Sequence, residues 1–465
     1  MKQKIIAAVL SMTMAISMTA CGSAQQAEDP GKAKTEAKVQ EETEEGNTAS
    51  GSEQAEIAVG EGEVVTIWEC NWGGDAYEAA LQRLAEEATN ANIDGKGYKI
   101  EVTMVPWDNY NETFMTAAVA GTAPDIAAEA STSPYQYAQM GETLDLGPIY
   151  NAWVEEGNPI AEEIPQSVWD FEKYNGQLIA IPFAIDGVGI VYNKDLFANA
   201  GVEVPESWDW NGFEEACAKL KESGVTPLVF TGNNLPGLSS IGDAFCISNG
   251  TGVIDTDYNP TILSDANQET YAYIKELYDN GYIAEGVMGY DSTDAQRLFL
   301  NGDAAMYFGN GFSFVPEADR DKYAALTPFK GPSADELLTS ASYQAYYAYD
   351  QSGHPDATRA VLKWWIENND ILWTEGNHGT IPIQQSKLER VIDNELVKDF
   401  AATWCIEHGK PSIYPLTSFA PFSSTLDSMA VSSSVLEAIF TDGDIQEASE
   451  KTTREIQEVI ASYEE

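Results

Sequence analysis

Asn71-Trp72-Gly73-Gly74 sets an amide, an indole and two glycines side by side. An indole offers a flat apolar face, an amide both donates and accepts hydrogen bonds, and glycine lets a ligand come close to the backbone. Such a group can hold a solute without reacting with it, although a loop tryptophan can also simply pack on its own domain. Trp107, behind Pro106, offers a second indole that could equally cover the helix after it. Patterns that make or break bonds are poorly supplied. Only His354, His378 and His408 occur, with no His-Glu-x-x-His pair for zinc. Neither Gly237-Leu238-Ser239-Ser240-Ile241-Gly242 nor Gly311-Phe312-Ser313-Phe314-Val315 completes a Gly-x-Ser-x-Gly elbow, and no phosphate-cradling Gly-x-x-x-x-Gly-Lys-Ser/Thr loop exists. Asp255-Thr256-Asp257-Tyr258-Asn259 begins like a calcium loop, but Pro260 replaces the required Gly and Ala266 the required Glu, so a turn is expected. The chain is read as no enzyme, with neither cofactor nor metal.

The elements that place these groups follow from periodicity. Val64 to Trp68 is a β-branched run, and Tyr77, Leu81, Leu84, Ala85 and Ala88 then recur at helical spacing. Lys99 to Val105 alternates as a strand, Asp108 to Ala120 reads as a helix with Phe114, Ala117 and Ala118 inward, and Asp125 to Ala130 returns as a strand. Alternating strands and helices predict an α/β fold with a parallel sheet, whose ligands gather beyond the carboxyl ends of the strands. That places Glu69, Asn71, Trp72, Trp107 and Glu129 on one rim. A second unit begins near Gln177, with strands over Leu178–Ile181, Val188–Tyr192, Thr226–Phe230 and Ala304–Phe308. Its helices include one opened by an Asn211-Gly212-Phe213-Glu214 capping box and running through Lys221, one over Tyr271–Tyr278, and a closing helix with Ile445, Ala448, Thr452, Ile456, Val459 and Ile460 on one face.

Upstream, Lys2 and Lys4 precede the apolar stretch Ile5–Met18, which is too short to span a bilayer permanently and reads as a secretory signal over residues 1–20. Met18-Thr19-Ala20-Cys21 resembles the lipobox of bacterial lipoproteins, with Met where the family usually has Leu; the resemblance implies a lipid on Cys21 and a location at the cell membrane, on its extracellular face. Residues 21–63 carry eleven acids against three lysines and almost no large apolar residue before Ile57, and so are expected to be an extended, disordered tether.

The remaining stretch of about 400 residues suits two domains. A net charge of −49 argues against nucleic acid and anionic polymers as partners. The four later cysteines, Cys70, Cys217, Cys246 and Cys405, are too sparse for a disulfide scaffold; Cys217 and Cys246 could pair, and buried free thiols are an equal expectation.

Tyr174-Asn175-Gly176-Gln177-Leu178-Ile179-Ala180-Ile181-Pro182 followed by Tyr192-Asn193-Lys194-Asp195-Leu196-Phe197 resembles the central signature of carbohydrate-binding extracellular solute-binding proteins of bacterial ABC importers. Ala200-Gly201-Val202 with Pro205 and Ser207-Trp208-Asp209, Asn301-Gly302-Asp303-Ala304-Ala305-Met306, the spacing of Pro124-Asp125-Ile126 to Tyr137-Ala138-Gln139, and Pro328-Phe329-Lys330-Gly331 extend the likeness in order along Val64–Glu465. The resemblance implies a two-lobed, type II periplasmic-binding-protein-like fold with a hinge and an interlobe cleft. One lobe would comprise residues 64–183 plus 338–388, the other 184–337 plus 389–465. It further implies a monomer that binds a sugar or oligosaccharide by hinge closure and delivers it to membrane permease subunits.

A sugar asks for flat apolar faces and for fixed hydrogen-bonding groups around its hydroxyls. By the resemblance, Asp186 aligns with a sugar-binding carboxylate, and Glu129 stands where a relative has a ligand-facing Trp. Asn233 and Asn234 stand where a relative carries a carboxylate, though Gly232, Asn233 and Pro236 also suit a plain turn. Phe312 occupies the place of a stacking Trp. Tyr343 and Gln344 fall where the chain crosses between lobes, and Phe419 or Phe422 could stack from the second lobe. Two rival readings stand beside this one. The acidic rim suits a polyamine or peptide, and Glu129 with Asp186 could form the carboxylate pair of a glycoside hydrolase.

Overall fold

The computed structural model describes residues 63–107, 110–129, 133–310, 312 and 314–464; the expected signal, Cys21 and the acidic tether lie outside the described residues. Strand β1 (Val64–Cys70) pairs in parallel with β2 (Lys99–Val105) on one side and β3 (Ile126–Glu129) on the other. Helix α1 (Asp75–Asn90) covers this sheet with Tyr77, Ala80, Leu81, Leu84, Ala85 and Ala88, the expected stripe, and places Asp75 and Glu78 at its positive end. Helix α2 (Tyr110–Ala120) buries Phe114, Ala117 and Ala118, and α3 (Ser133–Met140) follows β3.

The two strands expected over 178–181 and 188–192 are largely one. Strand β4 (Ala180–Asn193) runs fourteen residues without a break, because one neighbouring strand pairs with it from Ala180 to Val188 and another takes over from Gly189 to Tyr192. Asn193 then caps α4 (Lys194–Ala200), its Oδ1 accepting from the N–H groups of Asp195 and Leu196, and Gly201 closes the helix at φ 66°. The Tyr-Asn-Lys-Asp-Leu-Phe motif is thus a strand end joined to a capped helix. Helix α5 (Trp210–Glu222) starts two residues earlier than its expected capping box; Asp209, and not Asn211, supplies the cap by accepting from Gly212 N–H.

Beyond β4 lie β5 (Thr226–Val229) and β6 (Ala304–Gly309), parallel to each other, while β6 is antiparallel to β4. A second long strand, β7 (Thr339–Ala348), lies between β3 and β4 and is antiparallel to both. The order β2-β1-β3-β7-β4-β6-β5 therefore sets two parallel halves on either side of two long antiparallel strands that run through both. Ile381–Pro382 adds a short antiparallel pairing to Ala184–Ile185 of β4. Helices α6 (Leu235–Ser248), α7 (Asp265–Asp279), α8 (Ser423–Ser428), α9 (Ser433–Phe440) and α10 (Ile445–Glu464) pack together on the second half. The four cysteines from Cys70 onward are buried and form no disulfide, so Cys217 and Cys246 are not bridged. Among the described residues no helix is long and apolar enough to cross a membrane.

Candidate functional site

The two long strands carry the first part of the site. In their antiparallel register Asp186 faces Ser342 and Ala184 faces Gln344, so Asp186, Ser342 and Gln344 share one face, and Tyr343, opposite Ile185, takes the other. Asp186 Oδ1 accepts from Gly187 N–H at 2.9 Å, and Oδ2 accepts from the Asn310 amide at 2.8 Å, delivered by the loop after β6. Burial raises the Asp186 pKa, and these two hydrogen bonds pull against it. No Lys or Arg partners this carboxyl among the described residues, so its lone charged alternative, an internal ion pair, is not what holds it. Gln344 is 7 % exposed and its Oε1 has no hydrogen-bond partner. An amide oxygen so placed lacks the donor that burial demands.

Aromatic rings close over the junction from both halves. From the first half come Tyr135 on α3, Phe171 and Tyr174; from the second come Phe419, Phe422 and Tyr258. Tyr135 stands edge-on to Tyr174 at 5.0 Å and meets Phe419 at 6.0 Å, while Phe171 meets Phe419 at 5.6 Å and Tyr343 at 6.4 Å. Tyr258 in turn stands edge-on to Phe422 at 5.1 Å. Burial, then the neighbouring Tyr174 and Tyr258, push the Tyr135 phenol up to about 12. Glu172, next to Phe171, is 1 % exposed, its Oε1 has no hydrogen-bond partner, and burial alone pushes its carboxyl up to about 8. Burial, followed by the charges of Cys405 and Glu172, pushes Tyr343 to about 12.

The rim of the first half differs from expectation at one residue. Glu69 points into the core, where it is fully buried and accepts from Tyr77 Oη, from Tyr346 Oη at 2.9 Å and from Trp365 Nε1 at 3.0 Å. Burial raises it to about 7 against these three donors. It is a structural carboxyl below the sheet, not a rim group. Asn71 and Trp107 are tied together, the indole N–H donating to Asn71 O at 2.6 Å, while Asn71 Oδ1 accepts from Gly74 N–H ahead of α1. Trp107 remains 38 % exposed. Trp72 lies edge-on to Trp107 at 4.6 Å and stacks on His378, which stacks in turn on Trp373 at 4.5 Å. Because His378 Nδ1 accepts from Thr380 N–H, the ring proton sits on Nε2, which has no partner; Trp72 Nε1 has none either. Burial, then Lys387, holds His378 neutral, at about 3.

The remaining expectations divide. Glu129 ends β3 opposite Ala345 of β7, beside the crossing strands. Asn233 and Asn234 are exposed, and Asn234 caps α6 by accepting from Gly237 N–H at 2.7 Å, so the turn reading accounts for its Oδ1. Phe312 does not present a stacking face: it is 1 % exposed, with its ring against Phe400 at 4.5 Å and beside Phe314 and Tyr307. It fills core, and its neighbour Asn310 is the residue that reaches the site. Asp255 Oδ1 accepts from the N–H groups of Asp257 and Asn259, the expected turn, and among the described residues no cluster of three or more His, Cys, Asp or Glu could hold a metal. Tyr135, Phe171, Glu172, Tyr174, Asn310 and His378 were not singled out from sequence. Asn310 had a signal, being a lone polar side chain between two glycines after a buried strand; Phe171 and Glu172 had none.

The family model for bacterial extracellular solute-binding proteins matches residues 74–369. A Brucella abortus (strain 2308) protein named as a binding protein is 23 % identical over 375 residues, covering 78 % of this chain and 86 % of its own length. The diacetylchitobiose binding protein of Streptomyces coelicolor is 25 % identical over 346 residues, 72 % of this chain and 71 % of that one. A solved sugar transporter structure from Arthrobacter chlorophenolicus A6, with bound laminaribiose, superposes with a TM-score of 0.70 at 20 % identity, covering 85 % of this chain and 99 % of its own. That likeness shows the fold: two α/β lobes with a cleft between them.

Proposed function

The chain belongs to the bacterial extracellular solute-binding proteins, and on that premise we propose that it binds a sugar or oligosaccharide in the interlobe cleft, over β4 and β7, and delivers it to the permease of an ABC importer. The observation that carries this reading is Asp186, a carboxyl on a crossing strand whose partners are an amide and a backbone N–H and which shares its strand face with Gln344. Carboxylates and amides bind hydroxyls, and rings cover the C–H faces of a pyranose. The relatives bound to laminaribiose or named for diacetylchitobiose support the same class.

The lobes would be residues 64–183 plus 338–388 and 184–337 plus 389–465, hinged where β4, β7 and the segment after Pro382 cross. Ligand held on one lobe recruits the other, and binding shifts the population toward the closed form that the permease reads. No bond is made or broken in that cycle, and the protein acts as a monomer. Cleavage before Cys21 and its lipidation would anchor the chain at the extracellular face of the membrane, with residues 21–63 as the tether. Trp72, Trp107, Glu129, Gln344 and Phe422 are proposed to join Asp186 around the ligand, whereas Tyr343 and, through Phe171, Phe419 pack on the other face of β7.

A thermal-shift panel of mono- and disaccharides, polyamines and short peptides on the purified chain tests this. A specific ligand raises the melting temperature by mass action. A shift with a sugar is the expected result; a shift confined to polyamines or peptides would replace the reading with the corresponding solute.

A further inference from the structure

We infer that His378 is a positioning residue for ligand binding: the face of its ring sets the plane of the Trp72 indole. The inference rests on the reading that Trp72 lies against the bound solute, and it names what holds the indole there.

Trp72 stands on the loop between β1 and α1, where regular structure does not fix its side chain. A second loop, residues 375–380, closes against it. Gly379 N–H donates to Trp72 O at 3.0 Å. A Cβ on Gly73 would lie 2.2 Å from Gly376 O, so only glycine lets the two backbones come this close. The contact lays the imidazole of His378 along Trp72, 16° from parallel with ring centroids 5.3 Å apart. The same imidazole stacks on Trp373 at 4.5 Å and 8°, and meets Tyr77 and Phe183 edge-on at 5.2 and 5.8 Å. His378 is thus a flat slab held among four rings.

The slab is anchored to the crossing strand. Thr380 N–H donates to His378 Nδ1 at 3.3 Å, and Thr380 Oγ1 lies 3.0 Å from the same nitrogen. Thr380 O accepts from Trp373 Nε1 at 2.9 Å, and the next residue, Ile381, pairs with Ile185 of β4, one residue from Asp186. Trp72 is therefore fixed, through His378 and Thr380, relative to the carboxyl on β4. A ligand that meets an indole already held in plane does not have to order it. Ordering such a side chain on binding costs about threefold to tenfold in affinity.

His378 has two separable parts, a ring face toward Trp72 and an acceptor toward Thr380. His378→Phe keeps the face and loses the acceptor, whereas His378→Asn keeps an acceptor and loses the face. Both variants of the full chain are titrated calorimetrically with the sugar that gives the largest thermal shift, after a melting transition has shown each to be folded. His378→Leu, which fills space without a flat face, replaces the Asn variant if that one does not fold, and carries the same expectation. His378→Asn is expected to bind about threefold to tenfold more weakly and His378→Phe within about twofold of wild type. In a Trp72→Ala background the loss from His378→Asn should vanish, because the residue it acts through is gone. Wild-type affinity in His378→Asn, equal losses in the Asn and Phe variants, or a loss that persists in full without Trp72 overturns the inference and leaves the sugar-binding reading intact. Binding of a polyamine or peptide while every sugar fails overturns the sugar-binding reading instead, and the same variants titrated with that solute then decide the role of His378.

Discussion

The side-chain amide of Asn310 donates to Asp186 across 2.8 Å and so ties the loop after β6 to the crossing strand β4. That bond sets the orientation of the carboxyl at the centre of the proposed site. Asn310→Asp would replace a donor with a second carboxylate. We expect its sugar affinity to fall by about tenfold or more, while Asn310→Ser, which keeps a donor, loses less. Calorimetric titration of both variants against the wild-type ligand checks this, and equal losses would show that Asn310 acts only by filling space.

Tyr135 and Phe419 bring the two halves together through their rings. If that contact belongs to the closed form, Tyr135→Ala and Phe419→Ala should be coupled. A double-mutant cycle on ligand affinity is expected to give an interaction of about 0.5–1.5 kcal/mol. Strict additivity would mean that the rings contribute to binding independently.

Buried carboxyls make stability depend on pH in a definite direction. Burial raises Glu69 to about 7, Glu172 to about 8 and Asp243 to about 7. The folded chain therefore binds protons that the unfolded chain has already released, and folding is favoured by acid. Stability from these carboxyls is predicted to fall as pH rises from the ordinary carboxylate range through about 8, opposed at the acid end by His378, which burial holds neutral, and continued in alkali by the buried thiols of Cys217 and Cys246. Melting temperatures followed across this window test the sign. Glu172→Gln should flatten the upper part of the slope, and an unchanged profile would remove Glu172 from the account.

Gly189 sits on β4 where a Cβ would overlap the indole of Trp404 and the ring of Phe400. Trp404 is fixed there by its own N–H, which donates to Leu326 O at 2.7 Å. Gly189→Val is expected to cost about 1–3 kcal/mol through overpacking, read as a fall in the denaturation midpoint. Phe312→Ala, which empties a core position, should cost about 3–5 kcal/mol. If Phe312 instead served the ligand, its loss would appear mainly in affinity.

Much of this molecule was legible in its sequence. Helix α1 carries its apolar stripe at helical spacing, and α2 its Phe114, Ala117 and Ala118, so their buried faces could be read locally. Asp186 stood out because the resemblance aligns it with a sugar-binding carboxylate. Glu69 misled because β1 is buried near its carboxyl end on both faces, so alternation no longer tells rim from core. The three donors that hold it, Tyr77, Tyr346 and Trp365, lie on elements far apart in sequence. Phe312 misled for the same reason: Phe400, which fills its face, approaches from a distant helix. Glu172 was silent, since nothing in Phe171-Glu172-Lys173 says that the acid is buried and the lysine exposed.

The central claim is that a sugar lies over β4 with a hydroxyl on Asp186. A crystal structure of the chain with the disaccharide that gives the largest thermal shift tests it most directly. The account predicts a sugar hydroxyl within hydrogen-bond distance of an Asp186 oxygen, on the strand face that also carries Gln344. A sugar bound elsewhere, with Asp186 and Asn310 still paired only to each other, would contradict it.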